Sequence, residues 1–323
     1  MTNPDISIMV CTYNRAGMLR DALRSLYDLQ TAGEFTYEVL VVDNNSSDDT
    51  PAAIAAAATE STSTLRCVRE TKPGVAAARN RGVREARGEW IAFFDDDQIA
   101  DPNWLLELRR GASEHNSRVV GGAVHLLLPE NCTRDLHPFC RMLLGESRWS
   151  ETPQPYDDHI NPGAGNLLVE KSVFAEVGVF NEALRRGEDT DLYRRTRAAG
   201  MAAWYLPKAI IHHMTPDLRL EDAYLHKLSR SMGEGVNDYE WNDRGPLVAT
   251  AIWLAKAARA VGLYWPKLQW ACVTGNHEAA VGLRCQLVLS AGHFWQGWAR
   301  LRQRLSGPRT KVPTTAVASR PLA

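Results

Sequence analysis

Three consecutive carboxylates, Asp95-Asp96-Asp97, follow the apolar run Ile91-Ala92-Phe93-Phe94. Adjacent acids repel one another unless a cation is shared among them. In extended backbone, Asp95 and Asp97 project to the same side. Two such carboxylates with open positions around them suit Mg2+ or Mn2+ holding a substrate diphosphate. A solvated turn that caps the next helix is the alternative for an acidic triplet taken alone. A second acidic group, Glu188-Asp189-Thr190-Asp191, opens a helix. There the helix dipole stabilises acids in the first turn, but a carboxylate so placed could also act as a general base.

Other residues supply recognition rather than charge. Thr12-Tyr13-Asn14-Arg15 and Asp43-Asn44-Asn45-Ser46-Ser47-Asp48-Asp49-Thr50 each end a β-rich run. An aromatic face stacks on a nucleobase, and an Asp accepts from an imide N–H; Asp43 alone also reads as a turn residue. Asn161-Pro162-Gly163-Ala164-Gly165-Asn166 is a glycine-rich strand entry, either a turn or a place where backbone approaches a ligand. His212 and His213 end a late strand and face opposite sides of it, so one of them can reach a site. Imidazole is an acceptable Mn2+ ligand. Cys132, His137 and Cys140 offer three zinc ligands at a spacing unlike that of a finger, and are not read as a metal site.

The elements that must position these groups alternate. Strands are predicted over residues 6–11, 38–42, 65–69, 90–94, 119–128 and 165–169, then 203–205 and 209–213 as two late strands. Helices are predicted over 16–28, 75–87, 103–115, 171–177 and 188–199, with an Ala-rich helix after Thr50. This is the order of an α/β protein with a mostly parallel sheet flanked by helices. Ligands of such sheets bind beyond the carboxyl ends of the strands, where the polar residues above lie. Residues 129–162 read as a loop over the active face, with room for short helices. Beyond Leu220 the pattern is helical, which gives an expected organisation of 1–218 catalytic domain, 219–306 helical region and 307–323 disordered tail. The chain lacks G-x-G-x-x-G and G-x-x-x-x-G-K-[ST], which argues against dinucleotide-binding and P-loop classes.

Taken in order, Thr12-Tyr13-Asn14-Arg15, Val41-Val42-Asp43-Asn44, residues 73–82 (PGVAAARNRG), Phe94-Asp95-Asp96-Asp97 and Gly187-Glu188-Asp189 resemble the motifs of family 2 glycosyltransferases. The resemblance covers about residues 5–215. It implies the GT-A nucleotide-diphospho-sugar transferase fold and inverting transfer from a nucleoside-diphosphate sugar, most simply a UDP-sugar, with Mn2+ or Mg2+. It implies Asp189 as catalytic base and Asp97 with His213 on the metal. Thr12, Tyr13, Arg15, Asp43, Arg79, Asp95, Asp96, Gly165, Asn166 and Glu188 would line the donor or acceptor side. A nucleotidyltransferase and a non-catalytic nucleotide-sugar-binding module are the alternatives.

Composition bounds the setting. Of 323 residues, 45% are hydrophobic and 23% charged, which is ordinary for a globular protein and excludes a wholly disordered chain. The net charge of −1 hides an asymmetry: residues 248–323 carry ten Lys/Arg against the single acid Glu278. Six of the ten tryptophans fall from residue 241 onward, at Trp241, Trp253, Trp265, Trp270, Trp295 and Trp298. Basic and aromatic residues together suit helices lying on an anionic surface. A helical cap with tryptophans in its core is the other reading. The expectation is a cytoplasmic protein without signal or spanning segment, with reduced cysteines, a glycan or lipid-linked acceptor, peripheral contact at the inner membrane face, and no nucleic-acid partner.

Overall fold

Strand β1 (Ile6–Thr12) is buried on both faces, as a central strand flanked by helices must be. Its alternate side chains enter two cores. Ile6, Ile8 and Val10 join Leu19, Leu23, Trp104 and Leu105 on one side of the sheet. Met9 joins Leu40, Val42, Phe93, Phe174 and Phe180 on the other. The computed structural model describes residues 3–61, 63–157, 160–184 and 186–306. The expected disordered tail, 307–323, lies outside the described residues.

The chain divides into two units, residues 1–128 with 145–215, and residues 129–144 with 216–323. In the first, β1 pairs in parallel with β2 (Tyr37–Asp43) and with β4 (Trp90–Asp95), and β2 pairs with β3 (Thr64–Arg69). Helices α1 (Ala16–Arg24), α2 (Thr50–Glu60) and α3 (Val75–Glu85) connect them. The sheet then turns mixed. β8 (Asn166–Glu170) runs antiparallel to both β4 and β6 (Val119–Leu127), and β9 (Ala203–Met214) runs parallel to β6. Short β5 (Gln98–Ala100) and β7 (Gln154–Pro155) add to β9. The resulting order is β3-β2-β1-β4-β8-β6-β9-β5. Helices α4 (Trp104–Glu114), α6 (Val173–Val177) and α7 (Glu188–Ala198) complete this unit.

One expectation needs correcting. The two late strands are one, β9, whose pairing with β6 shifts register between Gly122 and Ala123. Pro207, which has no N–H to give to a ladder, lies within the bulge. A Cβ at Gly122 would come within 2.0 Å of Ala209 O, so that bulge requires glycine. Within 129–162, α5 (Pro138–Leu143) is one of the short helices for which the loop reading left room. His137 caps it by accepting from Phe139 N at 3.1 Å.

In the second unit, the short α8 (Asp217–Leu220) precedes α9 (Asp222–Arg259), which is broken by a kink at Gly245, with φ 77°, followed by Pro246. A π-helical turn, Ala260–Tyr264, leads into α10 (Trp265–Val273), and α11 (His277–Ser306) returns along α9. Glycines set that approach: a Cβ at Gly233 would lie 2.1 Å from Leu289 O, and one at Gly292 2.6 Å from Arg230 O. Between the helices, His293 Nε2 lies 2.8 Å from Glu240 Oε2, and Lys256 Nζ donates to Glu240 Oε1 at 2.7 Å. The segment Arg244–Val273 is long and apolar enough, by length and composition, to cross a membrane, and only 17% of its apolar window is buried. Lys256 and Arg259 interrupt its apolar run, as the sequence shows, yet its average stays apolar.

Candidate active site

Parallel strands β2, β1 and β4 end side by side. Thr12 is in register with Asp43, and Cys11 with Asp95. The chain order reverses between β1 and β4, and a cleft opens at that switch point, as it does in other open α/β sheets. The cleft measures about 810 Å³ and is lined by Thr12, Tyr13, Arg15, Asn44, Gly74, Arg79, all three acids of the Asp95–Asp97 run, Arg186 and His213, among others.

The loops at its rim are stitched together. Asn14, with φ 52°, donates its backbone N–H to Ser46 Oγ at 3.0 Å and accepts from Ser47 N at 2.8 Å. Arg15 N donates to Thr50 Oγ1 at 3.2 Å. Asp43 accepts from Ser46 N at 2.9 Å through Oδ1 and is buried. That bond is the turn role open to it from the sequence, and Asp43 is not among the cleft-lining residues. Tyr13, 57% exposed, offers a free ring face. Asn44 holds the neighbouring loop, giving Nδ2 to Glu70 O and Lys72 O and accepting from Gly74 N. Gly74 itself has φ 120°, a conformation that side chains oppose.

The acidic run is braced by cations. Arg15 Nη1 donates to Asp96 Oδ1 at 2.7 Å and to Asp97 Oδ2 at 3.0 Å. Burial raises the Asp96 carboxyl above its ordinary range, against the opposing pull of Arg15. Arg79 Nη1 donates to Glu188 Oε1 at 2.6 Å, with Nη2 3.4 Å from Asp95 Oδ1 and the guanidinium 5.6 Å from the Phe180 ring centroid. Burial works against the charge on Arg79, but Asp95 and Glu188 outweigh it and the arginine is held firmly protonated. Arg79, on the cleft wall, and Glu188 are thus a buried ion pair that uses much of the bonding capacity of both. Cys11 also lines the cleft, but burial pushes its thiol up to about 12, which removes it as a nucleophile at neutral pH.

His213 reaches the acids through pairing. Gln98 of β5 is in register with His213, and Met214 N donates to Asp97 O at 2.8 Å. His213 Nε2 then lies 3.3 Å from Asp97 Oδ2, while the neighbouring His212 ring packs edge-on against His125. Among the described residues no group of three or more His, Cys, Asp or Glu forms a ready metal site. Asp97 and His213 could supply two ligands, a set that suits a Mg2+ or Mn2+ ion taking its remaining positions from substrate phosphate and water.

Gly165 and Asn166 have different tasks. A Cβ at Gly165 would come within 2.5 Å of both Asp95 Oδ2 and Gln98 Nε2, so glycine makes room for Asp95. Asn166 is buried in the sheet, accepting from Trp104 Nε1 at 2.8 Å and donating to Ala123 O and Ala209 O at 2.9 Å. It ties strands together and does not line the cleft. Asp189 sits in the first turn of α7, with Oδ1 accepting from Thr190 N at 2.7 Å and Oδ2 3.4 Å from Ala164 N. It does not line the cleft wall either. Sequence reasoning missed Arg186 and Gln98, which carry no motif of their own; Asn44, quoted only as a strand ending, gave no sign that it anchors a loop.

Residues 7–149 match the family model described as Glycosyl transferase family 2. The chain is 29% identical over 217 residues to Glycosyltransferase AglE of Haloferax volcanii, covering 66% of this chain and 67% of that protein. It is 27% identical over 226 residues to Succinoglycan biosynthesis protein ExoM of Rhizobium meliloti, covering 69% and 71%. It spans only 24% of the length of one further relative, which is uncharacterised. In fold it is similar to the mannosyltransferase PcManGT from Pyrobaculum calidifontis, solved in complex with GDP-Man and Mn2+, with a TM-score of 0.60 at 17% identity, covering 91% of this chain and 88% of that one. Residues 7–149 are thus similar to the glycosyl transferase family 2 model, and the chain has a GT-A-like α/β fold followed by a helical C-terminal region.

Proposed function

We propose that this protein is an inverting glycosyltransferase that moves a sugar from a nucleoside-diphosphate donor, most simply a UDP-sugar, to a hydroxyl of a glycan or lipid-linked acceptor. The observation that carries this reading is the convergence, in one cleft, of an exposed aromatic ring at Tyr13 with the Asp95–Asp97 run and His213. Thr12 and Tyr13 hold the base, Asp95 the ribose, and Asp97 with His213 the Mn2+ or Mg2+ ion. When bound, that ion neutralises charge building on the departing diphosphate. Asp189 takes the proton from the acceptor hydroxyl as the oxygen attacks the anomeric carbon from the face opposite the diphosphate. Its carboxylate is oriented by Thr190 N, which fixes the direction in which it accepts.

The C-terminal helices are proposed to rest on the cytoplasmic face of a membrane. Trp265, Trp270, Trp295 and Trp298 are exposed, as are Leu247, Val261 and Val273. Aromatic rings with basic residues nearby suit the headgroup region, and such a location favours a lipid-linked acceptor. Neither placement depends on which sugar is moved.

The test is release of nucleoside diphosphate by the full chain from UDP-, GDP- and TDP-sugars with Mn2+ and glycan or lipid-linked acceptors. Asp189→Asn is expected to lower kcat by about 10²–10⁴-fold, the usual contribution of a positioned base, with nucleotide affinity unchanged. Unchanged turnover would move the base elsewhere; no release from any donor would remove the transferase reading.

A further inference from the structure

The carboxylate assigned to the metal, Asp97, already has a cationic partner supplied by the chain. Arg15 Nη1 bridges Asp96 Oδ1 and Asp97 Oδ2, and Asp97 Oδ2 is the atom that also approaches His213 Nε2. The carboxylates are buried, with side-chain exposures of 6% and 7%, whereas the Arg15 side chain is 41% exposed. Both acids lie in the two-residue turn between β4 and β5, held at each end by a strand of the sheet. Arg15 stands on the rim loop just before α1, at the mouth of the cleft. Of the ion-paired groups, the arginine is the one with room to move.

A guanidinium and a divalent ion cannot share one buried oxygen without repelling each other. We propose that Arg15 is a resident counter-cation that competes with the divalent metal for Asp97 and gives way when a nucleoside diphosphate is present to accept the guanidinium. The proposal rests on the metal assignment above and adds an order to it. Without nucleotide, Arg15 satisfies two buried acids that would otherwise repel. With nucleotide, the diphosphate offers a new anionic partner, for which a planar guanidinium is well shaped. Metal and nucleotide then bind with positive coupling, and the coupling must be reciprocal.

The measurement is Mn2+ binding to the full chain by electron paramagnetic resonance, without and with UDP or GDP, corrected for Mn2+ held by free nucleotide. Wild type, Arg15→Ala, Arg15→Gln and Asp97→Ala are compared, with circular dichroism as the check on folding. The two Arg15 variants are expected to bind Mn2+ alone at least about 5-fold more tightly than wild type, the lower end of ordinary allosteric coupling. Their gain in Mn2+ affinity on adding nucleotide should shrink correspondingly. Thermal unfolding supplies a second readout: the Arg15 variants should melt below wild type without metal and recover on adding Mn2+. Equal or weaker Mn2+ binding by both folded variants overturns the proposal while leaving the metal site intact. Mn2+ binding that is undetectable, or indifferent to Asp97→Ala, overturns the metal assignment and the proposal with it.

Discussion

Replacing Arg79 by Met should unsettle the first unit before it affects ligand binding. Arg79 Nη1 and Glu188 Oε1 are 2.6 Å apart, and the two side chains are only 8% and 10% exposed. With charge centres about 4 Å apart and an effective dielectric of about 20, their attraction is about 4 kcal/mol. Breaking a buried pair by removing one partner typically costs about 3–5 kcal/mol, because the other charge is left uncompensated. Asp95 also attracts Arg79, from 3.4 Å, so this figure for the Glu188 pair alone is a lower bound on what the substitution removes. Met keeps the aliphatic stem, so the loss is mainly electrostatic. For a unit of this size the cost corresponds to a fall in Tm of about 6–20 °C. Hydrogen exchange of the β1 and β4 amides locates the loss in the sheet, because both strands flank the site. Adding Glu188→Gln to the Met variant removes the stranded charge and should restore at least half of the lost stability. A cost below about 1 kcal/mol, or a double variant no more stable than the single one, would refute the view of Arg79 as the buried counter-ion of Glu188.

Three further outcomes follow from other parts of the first unit. Tyr13→Ala should weaken nucleotide binding by about 5- to 150-fold, since stacking of a base on an aromatic ring contributes about 1–3 kcal/mol; calorimetry showing wild-type affinity would take the base away from Tyr13. Glu38 is buried and accepts from Arg66 Nε at 2.7 Å, Arg66 Nη2 at 3.0 Å and Ser7 Oγ at 2.7 Å. Burial pushes its carboxyl up, but Arg66 and Ser7 outweigh burial and hold it below the ordinary glutamate range. A folded value below the unfolded one means stability present above the ordinary range and lost as pH falls through the folded value. Glu38→Gln should therefore cost about 3–5 kcal/mol near neutral pH and flatten the acid dependence of the urea midpoint; an unchanged slope would contradict this. Gly165→Ala should displace Asp95 and Gln98, lowering kcat/KM by up to about 10²-fold, as a misplacement near 1 Å can. Wild-type activity in that variant would show that the contact yields freely.

The alternation of apolar runs with helical periods reveals the first half of the sheet in the sequence, because β1, β2 and β4 are buried on both faces and their composition says so. The polar strand endings were equally legible as cleft residues. What local pattern could not show is how side chains are used once strands pair. Asn166 follows two glycines and reads as a donor contact, yet the Trp104 indole and two carbonyls claim it. Arg79 reads as a nucleotide ligand and does line the cleft, but no local pattern shows that Glu188, more than a hundred residues later, pairs with it. Strand β5 is three residues long, too short for any period, and exists because β9 passes beside it. Pro207 splits β9 into two apparent strands, since the bulge that accommodates it is set by Gly122 on the partner strand. In the C-terminal helices, apolar content is plain from the sequence, but how little of Arg244–Val273 is buried emerges only from the packing.

The central claim is that Asp97 joins a divalent metal to a nucleoside diphosphate in the cleft at the ends of β1 and β4. Thermal-shift titration of the purified protein with UDP, GDP, TDP and CDP, each with and without Mn2+, tests it most directly when run beside Asp97→Ala. The account predicts a rise in Tm for at least one nucleotide that requires Mn2+ and disappears in the variant. A shift that is independent of Mn2+, or that persists in folded Asp97→Ala, would contradict it.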